Sequence, residues 1–198
     1  MQNKSSYKPN TKQMALIGLM TALLCLLGPL SLVIPISPVP LSLCPLGIYF
    51  VVLILGLGGG TLSVLLYLLL GLVGLPIFSG FSGGAGKLLG PTGGYLIGYL
   101  FLALILGACV RTAYRTQDGD TKKHTRMLPL RVLAGMLLGT LVLYLFGTAW
   151  LALQAGLSFQ AALFAGVIPF IPGDLLKMLC ALAVGLPLRK RLAAANLI

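Results

Sequence analysis

The feature that most constrains the fold is the scarcity of charge along most of the chain. Asp, Glu, Lys, Arg and His are all absent between Lys12 and Lys87, between Lys87 and Arg111, and between Arg131 and Asp174. A helix needs about 20 apolar residues to cross a bilayer core of about 30 Å. Only 9% of the residues are charged, against roughly 25% in a soluble domain. The sequence therefore predicts an all-α, polytopic membrane protein in contact with a lipid bilayer.

The apolar pattern divides into six predicted spans within a single integral membrane domain, 1–198. The spans cover about 14–34, 43–57, 61–75, 92–110, 130–155 and 172–188. Spans 2 and 3 are short and are expected to meet in a tight inner turn at Gly58–Gly60, with tilt or local thinning of the bilayer. Pro35, Pro38 and Pro40 fix φ and remove hydrogen-bond donors, so 35–42 is expected to form an extended outer loop. A second outer connection is expected at 157–169.

Basic residues are concentrated in three clusters that flank these spans. The clusters lie before span 1, between spans 4 and 5, and after span 6. Cytoplasmic loops carry an excess of Lys and Arg, so all three clusters are predicted to be cytoplasmic, with both termini on that side of the cell membrane. This placement accounts for the net charge of +11 and argues against nucleic acid as a partner. The clusters contain Lys4, Lys8 and Lys12; Arg111, Arg115, Lys122, Lys123, Arg126 and Arg131; and Arg189, Lys190 and Arg191.

A glycine-rich segment, 75–98, separates spans 3 and 4. Six glycines between Gly80 and Gly93 allow positive φ or a close approach to the backbone, so this segment is expected to be shaped around a ligand. It does not match the phosphate-binding motifs. A P-loop needs Ser or Thr where Leu88 stands, and a dinucleotide-binding fingerprint needs glycine where Leu89 stands.

Asp174 and Lys177 are the most informative single residues. If Arg189 marks the cytoplasmic interface, a rise of 1.5 Å per residue places Lys177 roughly 18 Å and Asp174 roughly 22 Å above it, within the bilayer core. Charges at such depth usually face a cavity or a partner and indicate a functional site. Their spacing of three places them on one helix face. The alternative is that Asp174 caps the helix after Pro172-Gly173 while Lys177 pairs with it or extends outward.

Gly18 and Ala22 form a small-xxx-small pair in span 1, which favours close helix packing. The partner is either another helix of this chain or a second membrane protein. The four cysteines predict neither a disulfide framework nor a metal site, because no two form a Cys-x-x-Cys pair. They are Cys25, Cys44, Cys109 and Cys180.

An intramembrane enzyme is an alternative class. Catalysis generally needs a nucleophile with a base, or a metal cluster. The chain contains three acids and one His, and only Asp174 is predicted at membrane depth, so no catalytic or metal-ligating residue is assigned. A purely structural membrane subunit is a further alternative, but it gives no purpose to the buried charges.

Several motifs occur together in a fixed order along nearly the whole chain. They are Pro38-Val39-Pro40, Gly74-Leu75-Pro76 with Ser82-Gly83-Gly84, Gly90-Pro91-Thr92-Gly93-Gly94-Tyr95, and Pro169-Phe170-Ile171-Pro172-Gly173-Asp174-Leu175-Leu176-Lys177. In this combination the chain closely resembles the BioY family, the biotin-specific substrate-binding components of energy-coupling factor (ECF) transporters. The resemblance implies a six-helix bundle with an outward-facing biotin pocket. It also implies partnership with a transmembrane coupling protein and two cytoplasmic ATPases, with biotin as transported substrate and no cofactor.

The resemblance also assigns roles to individual residues. Asp174 is expected to accept the ureido N–H groups of biotin, and Lys177 to donate to the polar end of the ligand. The glycine-rich loop is expected to enclose the rest of the ligand, with Lys87 receiving the tail carboxylate. A facilitator that moves biotin without ATPases remains an alternative. The enclosing residues are Phe78, Phe81, Ser82, Gly83, Gly84 and Tyr95, and the expected docking face for the coupling protein on the first helix is Ala15, Gly18 and Ala22.

Overall fold

A computed structural model describes residues 11–32, 37–115, 121–195 and 197–198. These residues are mostly helical, as predicted, and contain one small hairpin. Among them, four segments are long and apolar enough to cross a membrane: Cys44–Leu72, Gly93–Tyr114, Met127–Ala155 and Phe159–Ala194. The elements are α1 (Thr11–Leu27), β1 (Ser31–Leu32), β2 (Leu41–Ser42), α2 (Cys44–Leu72), α3 (Ala85–Leu89), α4 (Gly93–Arg115), α5 (Thr121–Ala155), α6 (Phe159–Gly166), a 3₁₀ turn (Ile168–Phe170) and α7 (Ile171–Ala194).

Helix α2 reverses direction at Gly56 and therefore has two arms, residues 44–55 and 57–72. Gly56 has φ 71° and ψ −164°, a conformation open essentially to glycine alone. A Cβ added to Gly60 would lie 2.9 Å from the Cα of Val52, although eight residues of straight helix span about 12 Å. The arms replace the predicted spans 43–57 and 61–75. The turn predicted at Gly58–Gly60 was wrong, because Gly56 supplies the positive φ and Gly60 instead lets the arms approach closely.

The first span is shorter than predicted. Helix α1 ends at Leu27 rather than continuing toward residue 34, since Pro29 cannot extend the helical hydrogen bonding. The chain then forms a hairpin in which Ser31 pairs with Ser42 in antiparallel register. The prediction of extended structure holds for Leu41–Ser42. The predictions for residues 1–10 and 33–36 fall outside the described residues.

Two segments predicted as connections contain helix. Helix α5 already includes Thr121 and runs through Pro129, which removes one main-chain hydrogen bond without ending the helix. Helix α6 occupies much of the predicted connection 157–169. Its start is fixed by Ser158, whose Oγ accepts a hydrogen bond from the Ala161 N–H at 3.2 Å, as an N-cap does. Helices α4 and α7 also run further than the predicted spans 92–110 and 172–188.

Helix α4 occupies the middle of the bundle, packed against α2 on one side and α5 on the other. Its Leu102 and Leu106 are fully buried in the core. Helix α1 packs on α2, while α7 packs on α2 more extensively than on α5. Because α5 and α7 have only limited contact, a gap remains between them beside the functional site.

Arg189, near the end of α7, joins that helix to the turn of α2. Its guanidinium donates hydrogen bonds to the main-chain carbonyl oxygens of Leu53 and of Ile54, the latter at 3.2 Å. The break at Gly56 deprives such carbonyls of their usual helical partners. The guanidinium carbon also lies 4.2 Å from the centroid of the Tyr114 ring, within range of a cation–π interaction. These contacts fix the end of α7 that lies opposite Asp174.

Candidate functional site

The charged pair predicted from the sequence lies at the start of α7. The turn Ile168–Phe170 leads directly into this helix, and Asp174 is in its first turn. Lys177 Nζ donates to Asp174 Oδ1 at 2.7 Å. The exposed fractions are 5% for Asp174 and 7% for Lys177, so both are buried, as predicted. A buried ion pair is stable only when its remaining polar atoms also find partners.

Two groups from elsewhere in the chain supply those partners. Tyr144, on α5, donates from its hydroxyl to Asp174 Oδ2 at 2.5 Å. Lys177 Nζ also donates to the main-chain carbonyl oxygen of Ser42, on β2, at 2.7 Å. We refer to Asp174, Lys177, Tyr144 and the Ser42 carbonyl as the polar cluster. Because the Asp174 oxygens bind these side chains, the carboxylate belongs to a tertiary cluster rather than acting as a simple helix cap.

A cavity of about 50 Å³ adjoins the polar cluster at the end of the bundle that carries the hairpin. Its walls come from the hairpin, α4, α5 and α7, with one residue each from α2, α6 and the 3₁₀ turn. Tyr95 holds α4 to α6 in the wall of the cavity, since its hydroxyl donates a hydrogen bond to the Gly166 carbonyl oxygen at 2.9 Å. Apolar and aromatic surface with a few convergent polar groups is typical of small-molecule sites. The lining residues are Val39, Pro40, Leu41, Ser42, Pro45, Tyr95, Tyr99, Leu143, Tyr144, Gly166, Phe170, Asp174 and Lys177.

A larger apolar groove of about 250 Å³ lies in the gap between α5 and α7. Tyr144 and Asp174 line both the cavity and the groove. Their hydrogen bond therefore stands in the partition between the two spaces. The other groove residues are Leu137, Thr140, Leu141, Val167, Ile171, Leu175 and Met178.

The part of the glycine-rich segment from Phe78 to Lys87 does not line this cavity, although Tyr95 of the same segment does. Phe78 is fully buried, with its ring edge-to-face on Tyr67 at a centroid distance of 5.6 Å. Phe81 is 69% exposed and has φ 55°, in a turn closed by the pairing of Phe78 with Ser82. Gly80 and Gly84 have positive φ. Positive φ was one of the two roles predicted for the glycines of this segment, the other being close approach to the backbone.

Of the nine predicted ligand-binding residues, the structure brings Asp174, Lys177 and Tyr95 together around the cavity. The other six, all in the glycine-rich loop, do not line it. The loop is held to α5 by Trp150, whose Nε1 donates to the Gly90 carbonyl oxygen at 2.9 Å. The six residues are Phe78, Phe81, Ser82, Gly83, Gly84 and Lys87.

Sequence reasoning missed two members of the polar cluster. Tyr144 carries a hydroxyl in the middle of an apolar span, which is a detectable signal because a buried Tyr hydroxyl usually has a partner. The Ser42 carbonyl is a main-chain group, so residue type carries no signal for it. Tyr99, another cavity residue, has the same kind of signal as Tyr144.

The predicted docking face on α1 is uncovered by the described part of the chain. Ala15, Gly18 and Ala22 are all exposed and recur at helical spacing on one face. A Cβ added to Gly18 would meet no atom within 4 Å. The described residues of this chain therefore do not use these small side chains for close packing.

The apolar helices and the buried polar cluster define the class of this protein: it is a polytopic helical membrane protein with a polar site enclosed between its helices. The BioY family model matches residues 1–194, and the chain belongs to the BioY family.

Individual relatives agree with this assignment. The chain is 37% identical over 181 residues to the biotin transporter BioY of Rhizobium etli, which covers 89% of this chain and 92% of that protein. It is 38% identical over 173 residues to a probable biotin transporter BioY of Pyrococcus horikoshii, covering 87% and 93%. The crystal structure of the S component for biotin from an ECF-type ABC transporter matches with a TM-score of 0.80 and 32% identity, over 96% of this chain and 95% of that one. These matches confirm the resemblance and the prediction of a transporter protein rather than an enzyme.

Proposed function

We propose that this chain is the biotin-binding S component of an ECF-type transporter, which captures biotin outside the cell and delivers it inward. The observation that carries the proposal is the buried Asp174–Lys177 pair beside a cavity with aromatic walls. A membrane protein does not usually bury charges without a functional partner. The names of the relatives supply the ligand, since they are biotin transporters and an S component for biotin.

The chemistry of the pair suits a cyclic urea. A carboxylate only accepts hydrogen bonds and an ammonium only donates them. Asp174 is therefore suited to the ureido N–H groups of biotin, and Lys177 to the ureido carbonyl or another acceptor of the ligand. Tyr95, which lines the cavity, supplies an aromatic wall for the ring system.

Binding requires the cavity to expand. Its volume of about 50 Å³ is below the roughly 300–1,000 Å³ of small-molecule sites. The hairpin is the element best placed to move, because Val39, Leu41 and Ser42 line the cavity and its two strands are each only two residues long. In this proposal the glycine-rich loop closes over the ligand tail with Phe81, Ser82, Gly83 and Gly84, while Phe78 anchors the loop in the core. Lys87 receives the carboxylate of the ligand.

We propose that the chain forms one integral membrane domain that crosses the cell membrane six times. The spans are α1, the two arms of α2, α4, α5 and α7. This count places both termini and the three basic clusters on the cytoplasmic side, in accord with the positive-inside rule. The hairpin and the cavity then face outward, where biotin is captured.

Energy for uptake comes from partners in this proposal. The exposed small residues Ala15, Gly18 and Ala22 of α1 allow a second membrane helix to approach closely. We assign this face to the transmembrane coupling protein, which links the chain to two cytoplasmic ATPases.

Uptake of labelled biotin into proteoliposomes tests the transport proposal. Vesicles would contain this chain alone or this chain with the coupling protein and the ATPases, with ATP present or absent inside. The proposal predicts accumulation only in the complete system with ATP. Equal uptake by the chain alone would overturn the partner proposal in favour of a facilitator, and no uptake by a complete, ATP-hydrolysing system would overturn the transport of biotin.

A further inference from the structure

The hydroxyl of Tyr144 holds the oxygen of Asp174 that Lys177 leaves available. Lys177 binds Oδ1 at 2.7 Å, and Tyr144 binds Oδ2 at 2.5 Å. The two donors come from different helices, α7 and α5, so together they fix both the position and the rotation of the carboxylate. A carboxylate has about four lone-pair positions, which leaves acceptor capacity on Oδ2 after Tyr144 has bound.

The location of Tyr144 gives this hydrogen bond a second consequence. The residue lines the small cavity on one side and the apolar groove on the other. Rotation of the carboxylate toward the groove would direct its charge at apolar side chains, where an unpaired charge is costly. The hydroxyl keeps the carboxylate beside the cavity.

One turn earlier on α5, a second hydrogen bond fixes the helix. The hydroxyls of Tyr49 and Thr140 lie 2.7 Å apart, and Tyr49 is fully buried but does not line the cavity. Thr140 and Tyr144 are four residues apart and so share one face of the helix. The rotation of α5 that presents Tyr144 to Asp174 is thus set independently of Asp174.

We infer that Tyr144 is a positioning residue of the binding site, which aims the Asp174 carboxylate at one ureido N–H of biotin and thereby selects cyclic ureas with a donor at that position. This inference rests on the proposed function and deepens it. Tyr144 acts through Asp174, so removal of its hydroxyl must weaken binding only for ligands that use the N–H in question.

The test combines protein variants with altered ligands. Tyr144→Phe removes only the hydroxyl, and Tyr114→Phe is the matched control because it also removes a buried tyrosine hydroxyl, beside Arg189 and away from the cavity. Purified proteins in detergent would be titrated with biotin and with two cyclic carbamates, in each of which oxygen replaces one ureido N–H. Loss of a hydrogen bond to a charged group corresponds to about a ten- to hundredfold loss of affinity.

We expect Tyr144→Phe to bind biotin about tenfold or more weakly than wild type, with a loss below threefold for one of the two carbamates. Tyr114→Phe should bind all three ligands like wild type. An equal loss for biotin and both carbamates would assign Tyr144 a structural role and overturn the inference, as would unchanged binding of biotin. Failure of the wild-type chain to bind biotin would instead overturn the proposed function.

Tyr144→Leu gives a second variant without the hydroxyl and must show the same selective loss. Folding of each variant would be checked by its thermal unfolding temperature. If neither Tyr144 variant folds while Tyr114→Phe does, the hydroxyl supports the fold rather than the ligand, and the inference is overturned.

Discussion

Lys177 on α7 donates a hydrogen bond from Nζ to the main-chain carbonyl oxygen of Ser42 on β2, over 2.7 Å. The two residues are 135 positions apart, and both line the cavity. One lysine thus connects the hairpin to the helix that carries Asp174. The Lys177 ammonium group therefore holds both the Asp174 carboxylate and the hairpin that covers the cavity.

Lys177→Met should destabilise the protein strongly. Removing one partner of a buried ion pair costs about 3–5 kcal/mol, because the other charge stays buried without compensation. Adding Asp174→Asn should recover most of this stability, since no uncompensated charge remains. Unfolding in detergent, followed by a thermal or denaturant scan, would measure both effects.

The matched control is Lys190→Met, because Lys190 is an exposed lysine on the same helix. Its unfolding should resemble that of wild type. If Lys177→Met were as stable as this control, the pair would not be buried as described. Neither Lys177→Met nor the double variant with Asp174→Asn should bind biotin like wild type.

Gly56→Ala should cost about 1–3 kcal/mol of stability. An added Cβ at Gly56 would meet no atom within 4 Å, so the cost comes from the backbone conformation alone. Gly18→Ala is the control, because it lies in helix α1, also has open space, and should gain up to about 1 kcal/mol in helix propensity. Equal unfolding temperatures for the two variants would contradict a reversal at Gly56.

Arg189→Gln should reduce stability by about 1.5–3 kcal/mol, the range for hydrogen bonds to a charged group. Arg189→Lys should fall between this variant and wild type, because an ammonium keeps the charge but lacks the planar fork that contacts two carbonyl groups and stacks on Tyr114. The exposed Arg191 provides the control as Arg191→Gln. The account is wrong about this contact if all three variants unfold at the same temperature.

Gly18→Leu should separate binding from coupling. Gly18 is exposed on α1, so a larger side chain fits the isolated protein and leaves its affinity for biotin unchanged. It should obstruct the close approach of a partner helix, and the yield of complex with the coupling protein should drop at least tenfold in a pull-down. Leu138→Phe, which enlarges an exposed apolar side chain on α5, is the control. Full assembly of the Gly18→Leu complex would show that this face is not the interface.

The sequence predicted the features that depend on residue type and spacing. Long uncharged tracts indicated the helices, and the depth and spacing of Asp174 and Lys177 indicated a buried pair. Features that depend on three-dimensional placement could not be predicted from the sequence. Gly56 and Gly58–Gly60 are all glycines, so residue type does not show at which of them the chain reverses direction. Only the packing of the two arms decides this.

The same reasoning explains the part of the site that was missed. Phe78 was expected at the ligand because it lies in the glycine-rich loop, yet its ring fills a core position against Tyr67, where burial of an aromatic side chain is favourable. Tyr144 reaches Asp174 only because α5 has a particular rotation about its axis. Neither outcome can be read from local sequence.

Equilibrium binding of labelled biotin to the purified chain tests the central claim most directly. Wild type would be compared with Asp174→Asn, which keeps the shape but removes the charge, and with Asp118→Asn as a control for the loss of a carboxylate elsewhere. The account predicts binding by wild type and by Asp118→Asn, and about ten- to hundredfold weaker binding by a folded Asp174→Asn. Wild-type affinity in a folded Asp174→Asn protein would contradict the assignment of the polar cluster as the biotin site.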